Sequence, residues 1–341
     1  MASLLIVGDM HLSNVPRSLS IVDYVDAVAG SEELRSLYKT LGKHEQSARC
    51  NLDAASSHDP KLVEALLHYI QQEASSLDGV VFVGDLATTG SVEDLSCARD
   101  VVSSVAEILS AQGVCFDGGM ISYRNKLVAV VPGNHDRYRG KFLLPGGEEF
   151  EIVCEEWWPH KARVVTNLLL KDSLPAVAVI CADFTLRSPW KAKSFPGIWG
   201  QGRVLEEDLQ DLRVAVRLLD QQFPSTPRVL CVHFPVANDG IDCHDSLKLV
   251  DGDELRDWAV SNNIALIVAG HLHRSSGSGP IVLAQDGGVL VCTATATQFY
   301  APNGNGVHFV DIQSDDGGQA VITVRDVRWD EDEQEYCVYE A

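Results

Sequence analysis

The stretch VVPGNHDRY, residues 130–138, begins as an apolar strand and ends in a glycine followed by polar residues. Gly133 and Asn134 are common in turns, because both residue types tolerate unusual backbone conformations. A turn gives no reason for His135 and Asp136 to follow them directly. The stretch therefore marks either a turn or a site, and the rest of the sequence must decide between the two.

Short apolar runs alternate with helical patterns along the chain. Six Val- and Ile-rich runs are typical of strands buried on both faces, and they span residues 4–8, 80–84, 127–133, 176–182, 228–233 and 265–270. Amphipathic patterns predict helices at residues 60–76, 91–109, 206–223 and 253–263. From about residue 281 the pattern predicts an antiparallel meander that ends the sheet. The order of elements predicts an α/β fold.

Composition and charge exclude several classes of protein. A chain of 341 residues with 45% hydrophobic residues has material for one large α/β domain or two smaller ones. The formal net charge of −21 disfavours nucleic acid and anionic membranes as partners. The nine cysteines include no C-x-x-C pair and predict no disulfide framework. The N-terminal stretch resembles neither a signal peptide nor a membrane span, so we expect a cytoplasmic protein.

Five of the six strand runs end in residues that can bind metals or transfer protons. The endings are Gly8-Asp9-Met10-His11, Gly84-Asp85, Gly133-Asn134-His135-Asp136, His233 and Gly270-His271-Leu272-His273. The carboxyl ends of the strands are where open α/β sheets bind ligands. The sequence therefore predicts that these side chains meet in one crevice, and that the opening stretch is part of a site.

The types of these side chains indicate the metal. Carboxylate, carboxamide and imidazole groups without a thiolate suit Mn²⁺, Fe or Zn²⁺. The candidate ligands are Asp9, His11, Asp85, Asn134, His233, His271 and His273. Seven donors are too many for one tetrahedral ion, but they suit two ions that share a carboxylate.

The array resembles the calcineurin-like metallophosphoesterases, whose blocks D-x-H, G-D, G-N-H-[D/E], H and G-H-x-H are all present in order between residue 4 and about residue 312. The resemblance implies a four-layer α/β/β/α sandwich of two mixed β-sheets flanked by helices, in a single domain over residues 1–341. The words GDLATTG, HFPV, GQGRV and TATATQ are similar to the cyclic-nucleotide phosphodiesterase-like (class III) branch. Residues 12–59 and 138–203 contain stretches that diverge from the family, where we expect surface or substrate loops.

The resemblance also implies a role for each block. One metal would be held by Asp9, His11 and His273, and the other by Asn134, His233 and His271, with Asp85 as the bridge. His135, held by Asp136, would face the phosphate and assist the leaving group. Apart from the resemblance, the position of Arg137 directly after this pair leaves two expectations open, a place at the surface and a contact with the phosphate.

The implied function is hydrolysis of a small phosphodiester, such as a cyclic or other nucleotide, by in-line attack of a metal-bridging hydroxide. Two Mn²⁺ or Fe ions are the expected cofactors, with Zn²⁺ as another choice. A phosphomonoesterase and a pyrophosphate-cleaving nucleotide hydrolase remain alternatives, because the same core serves all three. A metal-binding scaffold without activity is disfavoured, since every ligand and His135 are present. The sequence predicts no oligomeric state.

Overall fold

The protein is described from a computed structural model of the chain. The structure describes residues 1–13, 58–111, 121–137, 147–185, 202–236, 249–271, 281–282, 290–293, 305–315 and 317–339. Most of the predicted loop segment 12–59 lies outside these residues. Within segment 138–203, the described residues 147–185 form a short helix and two strands with their connections, and residues 138–146 and 186–201 lie outside the described residues.

The described residues form strands and helices that alternate over most of the chain. The strands are β1 (Ala2–Val7), β2 (Gly79–Val83), β3 (Ile121–Arg124), β4 (Leu127–Val131), β5 (Val164–Lys171), β6 (Leu174–Ala182), β7 (Arg228–Cys231), β8 (Ile264–Ala269), β9 (Ile281–Val282), β10 (Leu290–Thr293), β11 (Gly306–Ser314), β12 (Ala320–Asp330) and β13 (Glu335–Tyr339). The helices are α1 (Pro60–Glu73), α2 (Val92–Leu109), α3 (Glu149–Val153), α4 (Glu206–Gln222) and α5 (Gly252–Ser261), with a 3₁₀ turn over His135–Arg137.

The strands form two mixed sheets. The first sheet has the order β13–β12–β11–β1–β2–β4, and its β1, β2 and β4 run parallel. The second has the order β3–β5–β6–β7–β8–β10–β9, in which only the β5–β6 and β9–β10 pairs are antiparallel. The predicted pair of mixed sheets is confirmed.

Two hydrophobic cores show how the layers pack. Along β6, Val177 and Val179 belong to a core that also contains the first sheet and the buried faces of α1 and α2. The alternate residues Ala178 and Ile180 belong to a second core with α4 and α5. Side chains of a strand alternate between its two faces, so the second sheet is covered by the first sheet on one face and by helices on the other. This arrangement explains why the sequence of β6 is a continuous apolar run.

The prediction of a single meander from residue 281 was wrong in its first part. β9 and β10 join the second sheet, where β10 pairs parallel with β8. Only β11, β12 and β13 form the antiparallel meander, and it extends the first sheet beside β1. The apolar pattern of β10 indicates a strand, but it does not tell which of two sheets the strand will join.

None of the described helices is long and apolar enough to cross a lipid bilayer.

Candidate metal centre

The described candidate ligands gather where strands of both sheets end. Asp9 and His11 follow β1, Asp85 follows β2 and Asn134 follows β4, all in the first sheet, while His233 and His271 follow β7 and β8 in the second. All six are buried. The site therefore lies between the carboxyl ends of two sheets, not in the crevice of one. His273 lies outside the described residues, and its role stays a prediction.

Asp85 occupies the middle of the group. Its Oδ2 lies 3.3 Å from Nε2 of His233 and 3.9 Å from Nε2 of His11. The carboxylate belongs to two sets of potential ligand atoms, each within 4.8 Å of one another: one with His11 and His135, the other with His233 and His271. A buried carboxylate with imidazoles on two sides could hold two cations, one on each side.

The carboxylate of Asp9 makes different contacts from that of Asp85. Its two oxygens accept hydrogen bonds from the backbone N–H of His271, at 3.0 and 2.9 Å. This contact joins the end of β1 to the end of β8, and so ties the two sheets together at the site. Asp9 belongs to neither of the two sets of ligand atoms around Asp85, so its ligand role stays a prediction.

The ring of His233 is oriented by a backbone carbonyl. Its Nδ1 donates to the Val83 carbonyl oxygen at 2.9 Å, and this fixes Nε2 towards the site. Nε2 lies 2.9 Å from Oδ1 of Asn134. Burial lowers the pKa of His233, but the Asp85 carboxylate outweighs burial and raises that pKa to about 9. Positive charge is thus favoured at the position where a cation would be held.

The interaction that raises the pKa of His233 lowers the pKa of Asp85. Burial raises the pKa of its carboxyl group, but the charges of His233, His135 and His11 outweigh burial and hold the pKa well below its usual range. The carboxylate is therefore ionised although only 1% of the residue is exposed to water. An ionised, buried carboxylate surrounded by imidazoles suits a ligand for divalent cations.

Four candidate ligands have an unusual backbone conformation. The φ angles of Asp9, His11, Asp85 and His271 are 50°, 50°, 48° and 71°. These angles lie in the left-handed region, which non-glycine residues rarely adopt and which costs about 1–3 kcal/mol per residue. Each of these residues lies within four residues of the end of a strand, where the chain leaves the sheet. Such strain is concentrated at functional sites.

Two glycines in the sequence blocks are required by close packing of the ligands. A Cβ atom on Gly133 would lie 2.1 Å from Oδ1 of Asp85. Gly84 has a φ of +92°, and a Cβ there would lie 2.4 Å from Nδ1 of His233. The glycines that precede the ligands therefore leave room for the ligand side chains themselves.

We predict that Gly133→Ala lowers the number of bound metal ions below that of the wild-type protein. The added methyl group displaces the Asp85 carboxylate, and overpacking also lowers the free energy of unfolding by about 1–3 kcal/mol. Metal analysis and urea unfolding measure the two effects. Gly317→Ala is the control, because the atoms nearest to its Cβ belong to the Asp315 side chain, at 3.3 Å or more, in a turn between β11 and β12. Wild-type metal content in Gly133→Ala would contradict the packing argument.

The expected contact between Asp136 and the ring of His135 was wrong. Nδ1 of His135 donates instead to the carbonyl oxygen of Thr88 at 2.8 Å. Asp136 accepts three backbone N–H groups, from Leu86 at 3.2 Å, Ala87 at 2.8 Å and Gly133 at 2.8 Å. The two side chains are adjacent in a 3₁₀ turn, so they project in different directions.

Asp136 therefore ties the loop after β2 to the loop after β4. Burial and the nearby charge of Asp85 raise the pKa of Asp136 to about 7, while the three N–H donors lower it. The side chain of Asp136 is 1% exposed, whereas that of His135 is 15% exposed. Of the two, only His135 faces the solvent side of the site.

We predict that Asp136→Ala acts on stability more than on leaving-group chemistry. Three buried N–H groups lose their acceptor, and each buried unsatisfied group costs about 1–3 kcal/mol. Urea unfolding should show the loss. The ratio of rates on activated and unactivated esters should change far less than it does in His135→Ala. An equal change in the two variants would restore Asp136 as the group that orients His135.

Three residues near the site were not predicted to act there. The carbonyl groups of Val83 and Thr88 orient histidine rings, and no side-chain pattern reveals a backbone acceptor. The ring of Phe234 packs edge-on against the rings of His233 and His271, with centroids 5.0 and 4.8 Å away. The apolar residue directly after His233 was the available signal for this contact.

Comparison with known proteins gives the family. The family model of the calcineurin-like phosphoesterases matches residues 2–275. No curated protein matches the chain by sequence.

Solved structures agree on the fold. A dimetal phosphatase from Danio rerio is 12% identical with a TM-score of 0.52, and the match covers 96% of this chain and 94% of that one. The purple acid phosphatase PPD1 from yellow lupin (Lupinus luteus) seeds is 12% identical with a TM-score of 0.51, and the match covers 99% of this chain and 52% of that one. At these identities the likeness shows the fold alone. With the family match over most of its length and the ligand blocks at the strand ends, the chain belongs to the calcineurin-like phosphoesterases, a family of metal-dependent phosphoester hydrolases.

Proposed function

We propose that this protein hydrolyses a small phosphodiester, such as a cyclic or other nucleotide, with two metal ions and with His135 as the acid. The observation that carries the proposal is the position of Asp85, which two sets of ligand atoms share. His135 lies beside this carboxylate, with Nε2 4.0 Å from Oδ2 of Asp85. These positions support two cations on either side of Asp85, with His135, at the solvent side of the first set, acting as the proton donor and not as a ligand.

The proposed ligands divide between the cations as the family blocks imply. One cation would be held by Asp9, His11 and His273, the other by Asn134, His233 and His271, and both by Asp85. Two bound cations would supply an activated water and neutralise charge on the phosphate. The donor set favours Mn²⁺ or Fe, with Zn²⁺ as a further choice.

The contacts of the His135 ring support the proposed role on the leaving group. Its Nδ1 proton is committed to the Thr88 carbonyl, so Nε2 is the atom that can exchange a proton with substrate. When the ring is doubly protonated, Nε2–H can donate to the leaving oxygen as its bond to phosphorus breaks. This ring and the ring of His11 pack in a T-shaped arrangement, with centroids 4.7 Å apart, which restricts the rotation of His135.

Charge favours a diester over a monoester as the substrate. A phosphodiester carries one negative charge near neutral pH, whereas a monoester carries close to two. The formal charge of −21 on the chain repels the monoester more strongly. The alternatives are a phosphomonoester substrate and a pyrophosphate bond in a nucleotide, which the same metal centre could cleave.

The test compares a diester with a monoester that has the same leaving group. After addition of Mn²⁺, we expect kcat/KM to be higher for bis-p-nitrophenyl phosphate than for p-nitrophenyl phosphate. Asp85→Asn serves as the inactive control. A higher kcat/KM for the monoester would transfer the proposal to the phosphomonoesterase alternative.

We also propose a cytoplasmic location, and the state of the cysteines supports it. Cys97, Cys154, Cys181, Cys231 and Cys337 are all free thiols among the described residues. Free thiols in such number are typical of a reducing compartment.

A further inference from the structure

The guanidinium group of Arg137 is completely buried directly after the His135–Asp136 pair. Its Nε and Nη2 both donate to Oδ2 of Asp183, at 3.2 and 2.7 Å. Its Nη1 donates to Oε1 of Glu151 at 3.0 Å and to the carbonyl oxygen of Gly147 at 3.1 Å. Arg137 therefore contacts neither the surface nor the phosphate site, which were the two positions expected from the sequence.

Both carboxylates that hold Arg137 are themselves held. Asp183 follows β6 of the second sheet, and its other oxygen accepts from the backbone N–H and the hydroxyl of Thr185, at 2.8 and 2.5 Å. Glu151 lies in α3, and its Oε2 accepts from the backbone N–H of Lys161 at 3.0 Å and lies 2.9 Å from Nδ1 of His160. The guanidinium is thus joined to a fixed part of the second sheet and of α3.

The main chain of Arg137 completes the attachment. Its N–H donates to the carbonyl oxygen of Asn134 at 3.2 Å, which closes the 3₁₀ turn. Its carbonyl oxygen accepts from the N–H of Gly147 at 2.8 Å. The turn that carries Asn134 and His135 follows β4 of the first sheet, so Arg137 attaches this turn to the opposite sheet at the site.

We propose that Arg137 is a positioning residue that holds the His135 ring in line with the leaving group through its clamp on Asp183 and Glu151. The inference rests on the proposed function, because it assigns Arg137 to the same proton transfer. A planar guanidinium makes this clamp and an ammonium group does not, since only the former directs several N–H groups at fixed angles. A catalytic group displaced by about 1 Å can lose about 100-fold in rate.

The test uses a series of methyl aryl phosphodiesters in which the pKa of the leaving phenol increases from one member to the next. Loss of acid assistance makes the rate fall more steeply as the leaving phenol becomes less acidic. We expect Arg137→Lys to steepen this dependence in the same direction as His135→Ala, with about a 10- to 100-fold loss on the poorest leaving group. We also expect Arg137→Lys to keep the wild-type number of bound Mn²⁺ ions. In the double variant His135→Ala/Arg137→Lys, the dependence of rate on the pKa of the leaving phenol should be no steeper than in His135→Ala alone.

Arg228→Lys is the matched control. Arg228 is also buried, binds the Asp220 carboxylate and the Asn262 carbonyl, and lies at the opposite end of β7 from the site. The variant Arg228→Lys should have a lower thermal midpoint of unfolding, and its rates should depend on the leaving group as they do in the wild-type protein. Asp183→Asn provides a second variant of the clamp if Arg137→Lys does not fold, and it should steepen the dependence in the same way.

Three outcomes would overturn the proposal in different ways. A steep dependence in His135→Ala with a wild-type dependence in both Arg137→Lys and Asp183→Asn would remove the positioning role alone. A wild-type dependence in His135→Ala would remove the acid role of His135, and the role of Arg137 with it. Further steepening in the double variant would show that Arg137 acts through another group.

Discussion

Asp85→Asn should lower kcat/KM on every phosphoester substrate by about 1,000-fold or more, which corresponds to about 4 kcal/mol of transition-state stabilisation. The change keeps the shape of the side chain but removes the charge that His233, His11 and His135 surround. Without this charge, the two sets of ligand atoms lose the group that they share. The loss should therefore appear in metal content as well as in rate, and metal analysis of the purified variant measures it.

Asp78→Asn is the control for this experiment. Asp78 is buried and precedes β2, so it lies at the opposite end of the strand that Asp85 follows. Its carboxylate accepts from the backbone N–H of Ser3 and pairs with Lys171, both at the far side from the site. This variant should lose stability and keep its metal ions. Full metal content and activity in Asp85→Asn would contradict the bridging role.

His135→Ala should slow the hydrolysis of esters, and the loss of rate should increase as the leaving group becomes poorer. General acid assistance contributes about 100- to 10,000-fold, so diesters with alkyl leaving groups should slow by at least about 100-fold. Diesters with p-nitrophenyl leaving groups need little protonation, and they should slow by only a few-fold. Steady-state kinetics over the leaving-group series measures this difference.

His308→Ala controls for the loss of a buried histidine. His308 is paired with Asp326 at 2.8 Å on β11, beside Ile6 of β1, and it belongs to neither set of potential ligand atoms around Asp85. Its replacement should leave the ratio between good and poor leaving groups as it is in the wild-type protein. Equal slowing of all esters in His135→Ala would show that the histidine does not act as the acid.

The strands that build the site were predictable because they are buried on both faces. β1, β2, β4, β7 and β8 consist mostly of apolar residues, and each candidate ligand comes within a few residues of a strand end. The few residues between a strand end and its candidate ligand then limit where the side chain of that ligand can lie. This pattern predicted that the candidate ligands converge, and the six that the structure describes lie together at the strand ends.

The second sheet was harder to predict because some of its strands carry polar residues. β5 contains Thr166 and Asn167, which interrupt the apolar pattern although both are buried. The side chain of Asn167 accepts a hydrogen bond from Ser122 of β3 at 2.6 Å, so a neighbouring strand satisfies it. Such a partner is visible only after the strands are paired. The division into two sheets therefore depended on the family resemblance.

The orientation of the site residues also depended on contacts that a sequence does not show. The partners of the His233 and His135 rings are the main-chain carbonyls of Val83 and Thr88, which any residue type could supply. The carboxylate of Asp136 turned out to bind main-chain N–H groups, although its position beside His135 suggested a side-chain pair. Neighbours in sequence were a poor guide here because a tight turn separates consecutive side chains.

The most direct test of the two-metal centre is electron paramagnetic resonance of the protein reconstituted with Mn²⁺. Two Mn²⁺ ions bridged by Asp85 should give a spin-coupled spectrum in the wild-type protein. Asp78→Asn should keep this spectrum, and Asp85→Asn should lose it. A spectrum of isolated Mn²⁺ in the wild-type protein, at full metal loading, would contradict the shared carboxylate on which the account depends.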